Sequence, residues 1–240
     1  MLTRPPTKAK PQPAVKMSAS SRPRSATVLL TGFDAFGGDA LNPSWLAVQA
    51  LHGKRVLGRT LVAAQLPTRF DRSLVVLSSL LRLHRPELVI CVGLAGGRSA
   101  ISLERVAINI NDARIADNAG ELLVDIPVVK GGPAAYFTTL PIKAMLQAIL
   151  AEGIACEVSQ TAGTFVCNQV FYGLMHSLAI QRQFKGMRGG FVHVPFLPEQ
   201  AQGKAAPSMA FVDTVRGLSI AVRAALKYQA DVVFAAGAIQ

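Results

Sequence analysis

The sequence predicts a protein of the α/β class: a single-domain α/β/α sandwich with a twisted, mostly parallel (mixed) sheet. Short apolar segments alternate along the chain with longer segments whose apolar residues recur at helical spacing. The segment 88–94 (LVICVGL) is apolar throughout, as in a central strand that is buried on both faces. Hydrophobic residues make up 50% of the 240-residue chain and charged residues 16%, which excludes a chain that is disordered as a whole.

The first half of the chain contains three strand-like and two helix-like segments. The apolar run 26–32 ends at Gly32, and the run 60–66 ends before Pro67, as short buried strands do. Pro43 is tolerated in the first turn of a helix, and a helical stretch follows it. We expect strands at 26–32, 60–66 and 88–94, and helices at 43–51 and 70–83.

The second half continues the alternation without an internal repeat. A helical pattern closes at Gly153, and strand-like segments precede and follow it. Strands that alternate with helices favour a parallel sheet with helices on both faces. We expect strands at 102–111, 155–159 and 190–195, and helices at 138–151, 168–180 and 208–228.

The N-terminal segment differs from the rest of the chain. The net charge is +11, and residues 1–26 carry six Lys or Arg and no acidic residue, so the rest of the chain carries only +5. A charge of that size is ordinary for a soluble domain and does not favour a nucleic-acid partner. We expect a disordered, basic, Pro-rich extension at 1–25 and a folded α/β/α domain at 26–240. Whether the chain starts at Met1 or Met17 stays open.

Several classes of site and compartment are excluded by missing patterns. Three Cys with no CxxC argue against a secreted disulfide framework and suit the reducing cytoplasm. The N-terminus has no apolar core of a signal peptide, and the longest uncharged stretch, 158–181, is too polar to span a membrane. No HExxH or CxxC motif predicts a metal, and the glycines at 93–97 lack the Lys-Ser/Thr of a phosphate-binding loop. We therefore expect neither metal nor cofactor.

Cys167 is the best candidate nucleophile. It follows the small-residue segment 161–164 and precedes a predicted helix, where the positive end of the helix dipole favours the reactive thiolate. Cys91 lies inside an apolar strand and Cys156 in a short one, so both are interpreted as structural. A structural role for Cys167 stays open on position alone.

His193 and Glu104 are the best candidates for a base and its orienting acid. His193 lies near the end of a predicted strand, and active sites of open α/β sheets gather beyond such strand ends. His176 lies nine residues after Cys167 on the same helix, about 13 Å along its axis and out of hydrogen-bond reach. Glu104 interrupts an apolar strand, where a buried carboxylate needs a partner. A core histidine and a surface glutamate remain alternatives for the two residues.

Four motifs in order resemble a known family. They are LTGFDAFGG with NPS at 30–44, GLAGGR to LERVAIN at 93–109, TAGTFVCN at 161–168 and FVHVPF at 191–196. Together they resemble pyroglutamyl-peptidase type I (pyrrolidone-carboxylate peptidase), a family of cysteine peptidases. The resemblance runs from about Val28 to the last helix.

This resemblance implies an exopeptidase that releases an N-terminal pyroglutamyl residue from peptides through a thioester. It implies that Cys167 is the nucleophile, that His193 is general base and acid, and that Glu104 orients the imidazole. The implied oxyanion donors are the Cys167 backbone N–H and the loop around Arg114. The family also implies a homo-oligomer, a tetramer.

The resemblance further implies a pocket for the neutral lactam ring, and such a pocket should contain no carboxylate. The residues it assigns to the pocket are Phe33, Phe36, Phe165 and Val166, with Asn42 shaping it. Leu94 stands where many members have a Gln associated with the substrate site, so weaker ring recognition is expected. Two alternatives remain: a catalytically silent family member, and a protein that binds nucleic acid or an acidic partner through its basic tail.

Overall fold

A computed structural model describes residues 27–237, and the expected extension at 1–25 lies outside that range. The chain forms a seven-stranded sheet and a separate two-stranded sheet. In chain order the strands are β1 (Thr27–Phe33), β2 (Arg55–Val56), β3 (Arg59–Leu66), β4 (Leu88–Leu94), β5 (Ile101–Glu104), β6 (Val106–Ile108), β7 (Ala135–Phe137), β8 (Cys156–Ser159) and β9 (Arg188–Val194). The helices are α1 (Pro43–Gln49), α2 (Ser73–His84), α3 (Ile142–Leu150), α4 (Val166–Ile180), α5 (Pro198–Ala201) and α6 (Phe211–Lys227), with a 3-10 helix at Arg182–Phe184.

The main sheet has the order β2-β3-β1-β4-β9-β5-β8 and is mostly parallel. Four of its strand pairs are parallel, whereas β2 with β3 and β5 with β9 are antiparallel. Helices α1, α3 and α6 pack on one face of the sheet, and α2 and α4 pack on the other. The α/β/α sandwich with a mixed sheet is therefore confirmed.

β4 lies at the centre of the sheet, and every residue of it is buried. Its apolar side chains face both helical layers, which is why the segment is apolar throughout rather than alternating. The strand spans the predicted residues, Leu88–Leu94. Its partner β9 runs parallel to it, with Gly93 beside His193, so the ends of both strands reach the same edge of the sheet.

The predicted strand 102–111 is wrong as a single strand. β5 stays in the main sheet, whereas β6 pairs with β7 in the two-stranded sheet. The chain turns at Arg105, whose N–H donates to the Ser159 carbonyl and whose guanidinium donates to the Ala236 carbonyl. The first of these bonds continues the pairing of β5 with β8, whereas the Arg105 carbonyl accepts the Thr138 N–H beyond β7. The chain therefore passes from one sheet to the other at Arg105, directly after Glu104, the last residue of β5.

The helix predicted at 138–151 begins at Ile142 instead. The hydroxyl groups of Thr138 and Thr139 both donate to the Gly189 carbonyl, and the Thr139 N–H does so too. The segment before Pro141 therefore lies against β9 in an extended form. The two short strands β2 and β7 were not predicted, because two or three residues carry too little pattern.

No helix between residues 27 and 237 has both the length and the apolar character needed to cross a bilayer.

Candidate active site

Cys167 lies in the first turn of α4 and is partly buried. Phe165, the residue directly before α4, has an extended backbone, so the helix begins abruptly at Val166. The first N–H groups of the helix therefore lack helical partners. The Asn168 side chain fixes this end by donating to the carbonyls of Ile108 and Ile110, both at 2.9 Å, and accepting from the Ile108 N–H at 3.1 Å. The start of α4 is thereby tied to β6.

Gly93 provides the space for the Cys167 sulfur. A Cβ atom built on Gly93 would lie 2.9 Å from Cys167 Sγ and 2.9 Å from the ring of Phe191. Only a residue without a side chain fits there, so the sulfur sits directly over the backbone of β4.

His193 lies on β9 beside Gly93 and is buried. Because paired residues of neighbouring strands face the same side of a sheet, the imidazole and the Cys167 sulfur share one face. The ring of Phe191 packs on the imidazole with centroids 4.8 Å apart. Nδ1 of His193 lies 2.7 Å from Glu104 Oε1, so the other ring nitrogen, Nε2, takes no part in this contact.

Glu104 is fully buried at the end of β5, so the surface alternative for this residue is excluded. Burial by itself raises the pKa of the Glu104 carboxyl group. The hydrogen bond and charge of His193, the Ser159 hydroxyl and the charge of Arg98 all lower it, and together they outweigh burial. The net effect is a pKa below the ordinary value, so Glu104 is a carboxylate at neutral pH. It accepts the His193 Nδ1–H and fixes the orientation of the ring.

Arg98 is a residue of this site that the sequence reasoning missed. Its Nη1 lies 2.7 Å from Glu104 Oε1, and its Nη2 donates to the Thr161 carbonyl at 2.9 Å. An arginine in a Gly-rich loop has no pattern of its own that marks it. The signal that points to it is Glu104, because a buried carboxylate requires a cation or several donors.

The surroundings of Cys167 do not favour the thiolate that the helix position predicts. Burial raises the pKa of its thiol to about 12, and the charge of Glu104 adds to this, against a smaller lowering by Arg98. A helix dipole is worth about 0.3–1 kcal/mol, which lowers a pKa by less than about one. Burial and the charge of Glu104 thus oppose the effect of the helix dipole, and these surroundings favour the thiol form of Cys167.

The remaining cysteines and His176 serve the structure. All three cysteines are free thiols, and burial raises the pKa of both Cys91 and Cys156 to about 12. Nδ1 of His176 lies 2.9 Å from the Tyr136 hydroxyl, and its ring stacks on Tyr172. It braces β7 against α4 and takes no part in the site.

A cavity of about 380 Å³ lies beside the segment that leads into Cys167, and Gly163, Thr164 and Phe165 line it. It contains two of the residues expected in the ring pocket, Phe36 and Phe165, together with Arg114, which was expected in the loop that supplies the second oxyanion donor. Its other lining residues are Asp112 and Ile115. A larger cavity of about 890 Å³ lies between α1, α3 and α6 on the opposite face of the sheet, away from Cys167, so size alone does not mark the site.

Three other expected pocket residues do not line this cavity. Phe33 is buried in the core and packs on Phe191, with ring centroids 6.2 Å apart. Val166 is fully buried. Asn42 caps α1 by accepting from the Ser44 N–H, and it donates to the Asp34 carbonyl at 2.8 Å. Asn42 thus shapes the loop that carries Phe36 without lining the cavity.

Asp112 contradicts the expectation of a pocket free of carboxylates. Its side chain is exposed at the rim of the cavity, together with Arg114. The backbone holds it there, since the Asp112 N–H donates to the Thr164 carbonyl at 2.9 Å and the Thr164 hydroxyl donates back to the Asp112 carbonyl at 2.6 Å.

Leu94 does not line this cavity either. It is 9% exposed at the end of β4, and side chains alternate along a strand, so it faces away from the side on which Gly93 meets Cys167. A group of three or more His, Cys, Asp or Glu side chains that could hold a metal ion is absent from residues 27–237.

Comparison with known proteins gives consistent matches over this whole domain. Residues 26–228 match the model of a family described as pyroglutamyl peptidase. A pyrrolidone-carboxylate peptidase from Cupriavidus necator is 56% identical over 207 residues, which are 86% of this chain and 95% of that protein. Pyrrolidone-carboxylate peptidase 1 from Ralstonia nicotianae is 54% identical over 212 residues, 88% of this chain and 98% of that protein.

Solved structures give the same result. The crystal structure of pyroglutamyl peptidase I from Bacillus amyloliquefaciens superposes with a TM-score of 0.85 at 48% identity, covering 87% of this chain and 99% of that one. A mutant pyrrolidone carboxyl peptidase from Pyrococcus furiosus gives 0.81 at 38% identity, covering 85% and 99% of the two chains. Nothing in these comparisons supports the binding alternative based on the basic tail.

Proposed function

The chain belongs to the pyroglutamyl peptidase family, and from this membership we propose how its residues carry out the family's reaction. It is a cysteine-type peptidase that hydrolyses the amide bond after an N-terminal pyroglutamyl (5-oxoprolyl) residue. Cys167, His193 and Glu104 form its catalytic group. The observation that carries this assignment is the 2.7 Å contact of His193 Nδ1 with the buried Glu104, beside the site of the Cys167 sulfur.

The first step forms a thioester. Because Cys167 rests as a thiol, its proton moves to Nε2 of His193 as the sulfur attacks the pyroglutamyl carbonyl carbon. The carbonyl π electrons move to oxygen, and the imidazolium that forms is stabilised by the Glu104 carboxylate. When the intermediate collapses, the C–N bond breaks and His193 returns the proton to the leaving amine.

The second step frees the enzyme. His193 removes a proton from water as the water oxygen attacks the thioester, and the pyroglutamate leaves as the free acid. Cys167 leaves as a sulfur anion that takes the proton back from His193. Both tetrahedral intermediates place an oxyanion near the start of α4, where the Cys167 backbone N–H is free of helical partners. We propose the loop around Arg114 as the second donor.

The cavity fits a substrate end that is a flat, neutral ring. The aromatic side chains of Phe36 and Phe165 lie 6.1 Å apart between centroids and supply apolar surface for the lactam. We propose that Phe33, Val166 and Asn42 act from behind this surface by fixing it. The loop of Phe36 is held by Thr68 and Asn118, which donate to Asp34 Oδ1 at 2.7 Å and to the Ala35 carbonyl at 2.8 Å.

The test is hydrolysis of a chromogenic pyroglutamyl amide by three proteins: the unaltered chain, Cys167→Ser and Cys156→Ser. We expect the unaltered chain and Cys156→Ser to cleave it at similar rates and Cys167→Ser to lose at least about 1,000-fold in kcat. A leucyl amide serves as the control substrate and should not be cleaved. An unaltered chain that folds and cleaves neither amide is the catalytically silent member, and the proposed function is then wrong.

Two further proposals concern the whole molecule. We propose a homotetramer, as implied by the family resemblance, and expect a mass of four chains in light scattering after gel filtration. We propose the cytoplasm as its location, because three free thiols suit a reducing compartment. An observed monomer that cleaves the amide would contradict the first proposal and leave the catalytic one intact.

A further inference from the structure

Arg98 connects two parts of the site that are distant in sequence. It lies in the loop between β4 and β5, and its side chain is 26% exposed, whereas Glu104 is fully buried. One guanidinium nitrogen contacts Glu104 Oε1 at 2.7 Å, and another donates to the Thr161 carbonyl at 2.9 Å. A single cation thus joins the carboxylate behind His193 to the segment that leads into Cys167.

We propose that Arg98 is a positioning residue of the hydrolysis: its guanidinium holds Glu104 and the segment before Cys167 in one frame, and its positive charge offsets the carboxylate beside the thiol and the imidazole. This inference rests on the proposed function. Arg98 acts through Glu104 and Thr161 and is not itself a catalytic residue.

The frame follows from the geometry of the segment between β8 and α4. Thr161 is held on the strand side, because its carbonyl also accepts the Ser159 hydroxyl at 3.0 Å. Thr161 Oγ1 accepts the Gly163 N–H at 3.0 Å, so the start of the segment is stiff. Arg98 extends this stiff unit to Glu104. Its planar fork can serve two acceptors at once, which a lysine ammonium cannot do with the same geometry.

The charge of Arg98 acts on both reacting groups. Glu104 favours a charged imidazolium on His193 and disfavours a thiolate on Cys167, and a nearby cation opposes both effects. The charged or titratable groups that act on Glu104 are His193 on β9 and Arg98 in its loop. Those that act on Cys167 on α4 are Glu104, Arg98 and Cys91 on β4. On the neighbouring strand β8, Glu157 is bound by the Ser102 hydroxyl. Arg98 is the cation of this group.

The test is the pH profile of kcat/KM for the chromogenic pyroglutamyl amide. Removing a positive charge beside Glu104 favours the protonated form of each neighbouring reacting group, so both limbs of the pH profile should move to higher pH. For Arg98→Met we expect a shift of about 0.5–1 in pH, as from the loss of one neighbouring charge in a partly solvated site. We also expect a loss of roughly 10–100-fold in kcat from mispositioning, with KM nearly unchanged.

Two variants separate charge from geometry and from general destabilisation. Arg98→Lys keeps the positive charge but loses the planar guanidinium. Both limbs of its pH profile should therefore stay at the pH of the unaltered chain, while kcat falls. Arg59→Met removes another Arg–Glu pair, the 2.6 Å contact of Arg59 with Glu87, and should change neither limb nor kcat. Should Arg98→Met fail to fold, Arg98→Lys decides: a parental kcat in that variant overturns the positioning role.

A second readout does not depend on turnover. The rate at which iodoacetamide alkylates Cys167, followed by mass spectrometry against pH and apart from Cys91 and Cys156, should rise at higher pH in Arg98→Met than in the unaltered chain. The proposal is wrong if Arg98→Met folds and neither its pH profile of kcat/KM nor the pH dependence of its Cys167 alkylation differs from that of the unaltered chain. If the unaltered chain cleaves no pyroglutamyl amide, the proposed function fails, and the alkylation curves still decide the role of Arg98.

Discussion

The space over Gly93 allows a quantitative prediction for Gly93→Ala. The added Cβ would lie 2.9 Å from Cys167 Sγ and from two ring atoms of Phe191, whereas carbon contacts prefer about 3.5–4.0 Å. One neighbour must therefore move by at least about 0.6 Å. Phe191 is fixed between Phe33 and Phe171, with ring centroids at 6.2 and 5.9 Å, so the sulfur moves.

Displacement of the nucleophile costs rate more than stability. A misplacement of about 1 Å costs about 100-fold in rate, so we expect kcat/KM of Gly93→Ala to fall roughly 10–100-fold. Overpacking should lower the free energy of unfolding by about 1–3 kcal/mol. The measurements are cleavage of the chromogenic pyroglutamyl amide and denaturation in urea.

The control is an overpacked glycine on the other face of the sheet. A Cβ on Gly217 of α6 would lie 2.3 Å from the end of the Ile101 side chain. That flexible end can move aside, and alanine favours the helix over glycine, so Gly217→Ala should keep both kcat and most of the stability. A Gly93→Ala protein that retains the parental kcat/KM refutes the placement of the sulfur over β4.

Three further predictions follow from the charges and burial of the site. Glu104 has a folded-state pKa below its ordinary value of 4.5, so its contribution to stability is present above about 4.5 and is lost as the pH falls further; urea denaturation of Glu104→Gln should show a flatter decline below pH 5, and an unchanged slope contradicts this. In His193→Ala no base assists the thiol, whose pKa is about 12, so iodoacetamide should modify Cys167 slowly until the pH exceeds 9; rapid modification at pH 7 would argue for a resting thiolate. Leu94→Gln places an amide on the face away from Cys167, so KM for the amide substrate should change less than about 3-fold while the free energy of unfolding falls by about 1–3 kcal/mol; a tenfold decrease in KM would show that position 94 reaches the ring.

Features that follow from the burial of a strand or helix could be predicted from the sequence. Leu88–Leu94 could be predicted to the residue because a strand covered on both faces is apolar throughout. Glu104 could be singled out because a charge inside an apolar strand needs a partner, and the structure supplies His193 and Arg98. The three residues that we propose as catalytic lie on two strands and a helix, and the family motifs bring them into one hypothesis.

Features that depend on contacts between distant segments could not be predicted. The division of 102–111 into β5 and β6 reflects the two backbone partners of Arg105: its N–H donates to Ser159 in the main sheet, and its carbonyl accepts from Thr138 beyond β7. No local pattern shows these partners. The thiol form of Cys167 depends on how deeply α4 packs, and burial outweighs the dipole that the position suggested. Phe33 and Val166 lie in the core, whereas Phe36 and Phe165 from the same two segments line the cavity. Neighbouring residues of one segment point to different sides, and the motif alone does not show which side a residue takes.

The most direct measurement of the central claim is a search for the acyl-enzyme. The protein is mixed with a pyroglutamyl ester, and the reaction is quenched in acid within the first turnovers. The protein is then digested, and the masses of its peptides are measured by mass spectrometry. We expect one pyroglutamyl group on the peptide that contains Cys167, and none on that peptide in Cys167→Ser. Rapid cleavage with no adduct on Cys167, or with the adduct on Cys156, would contradict it.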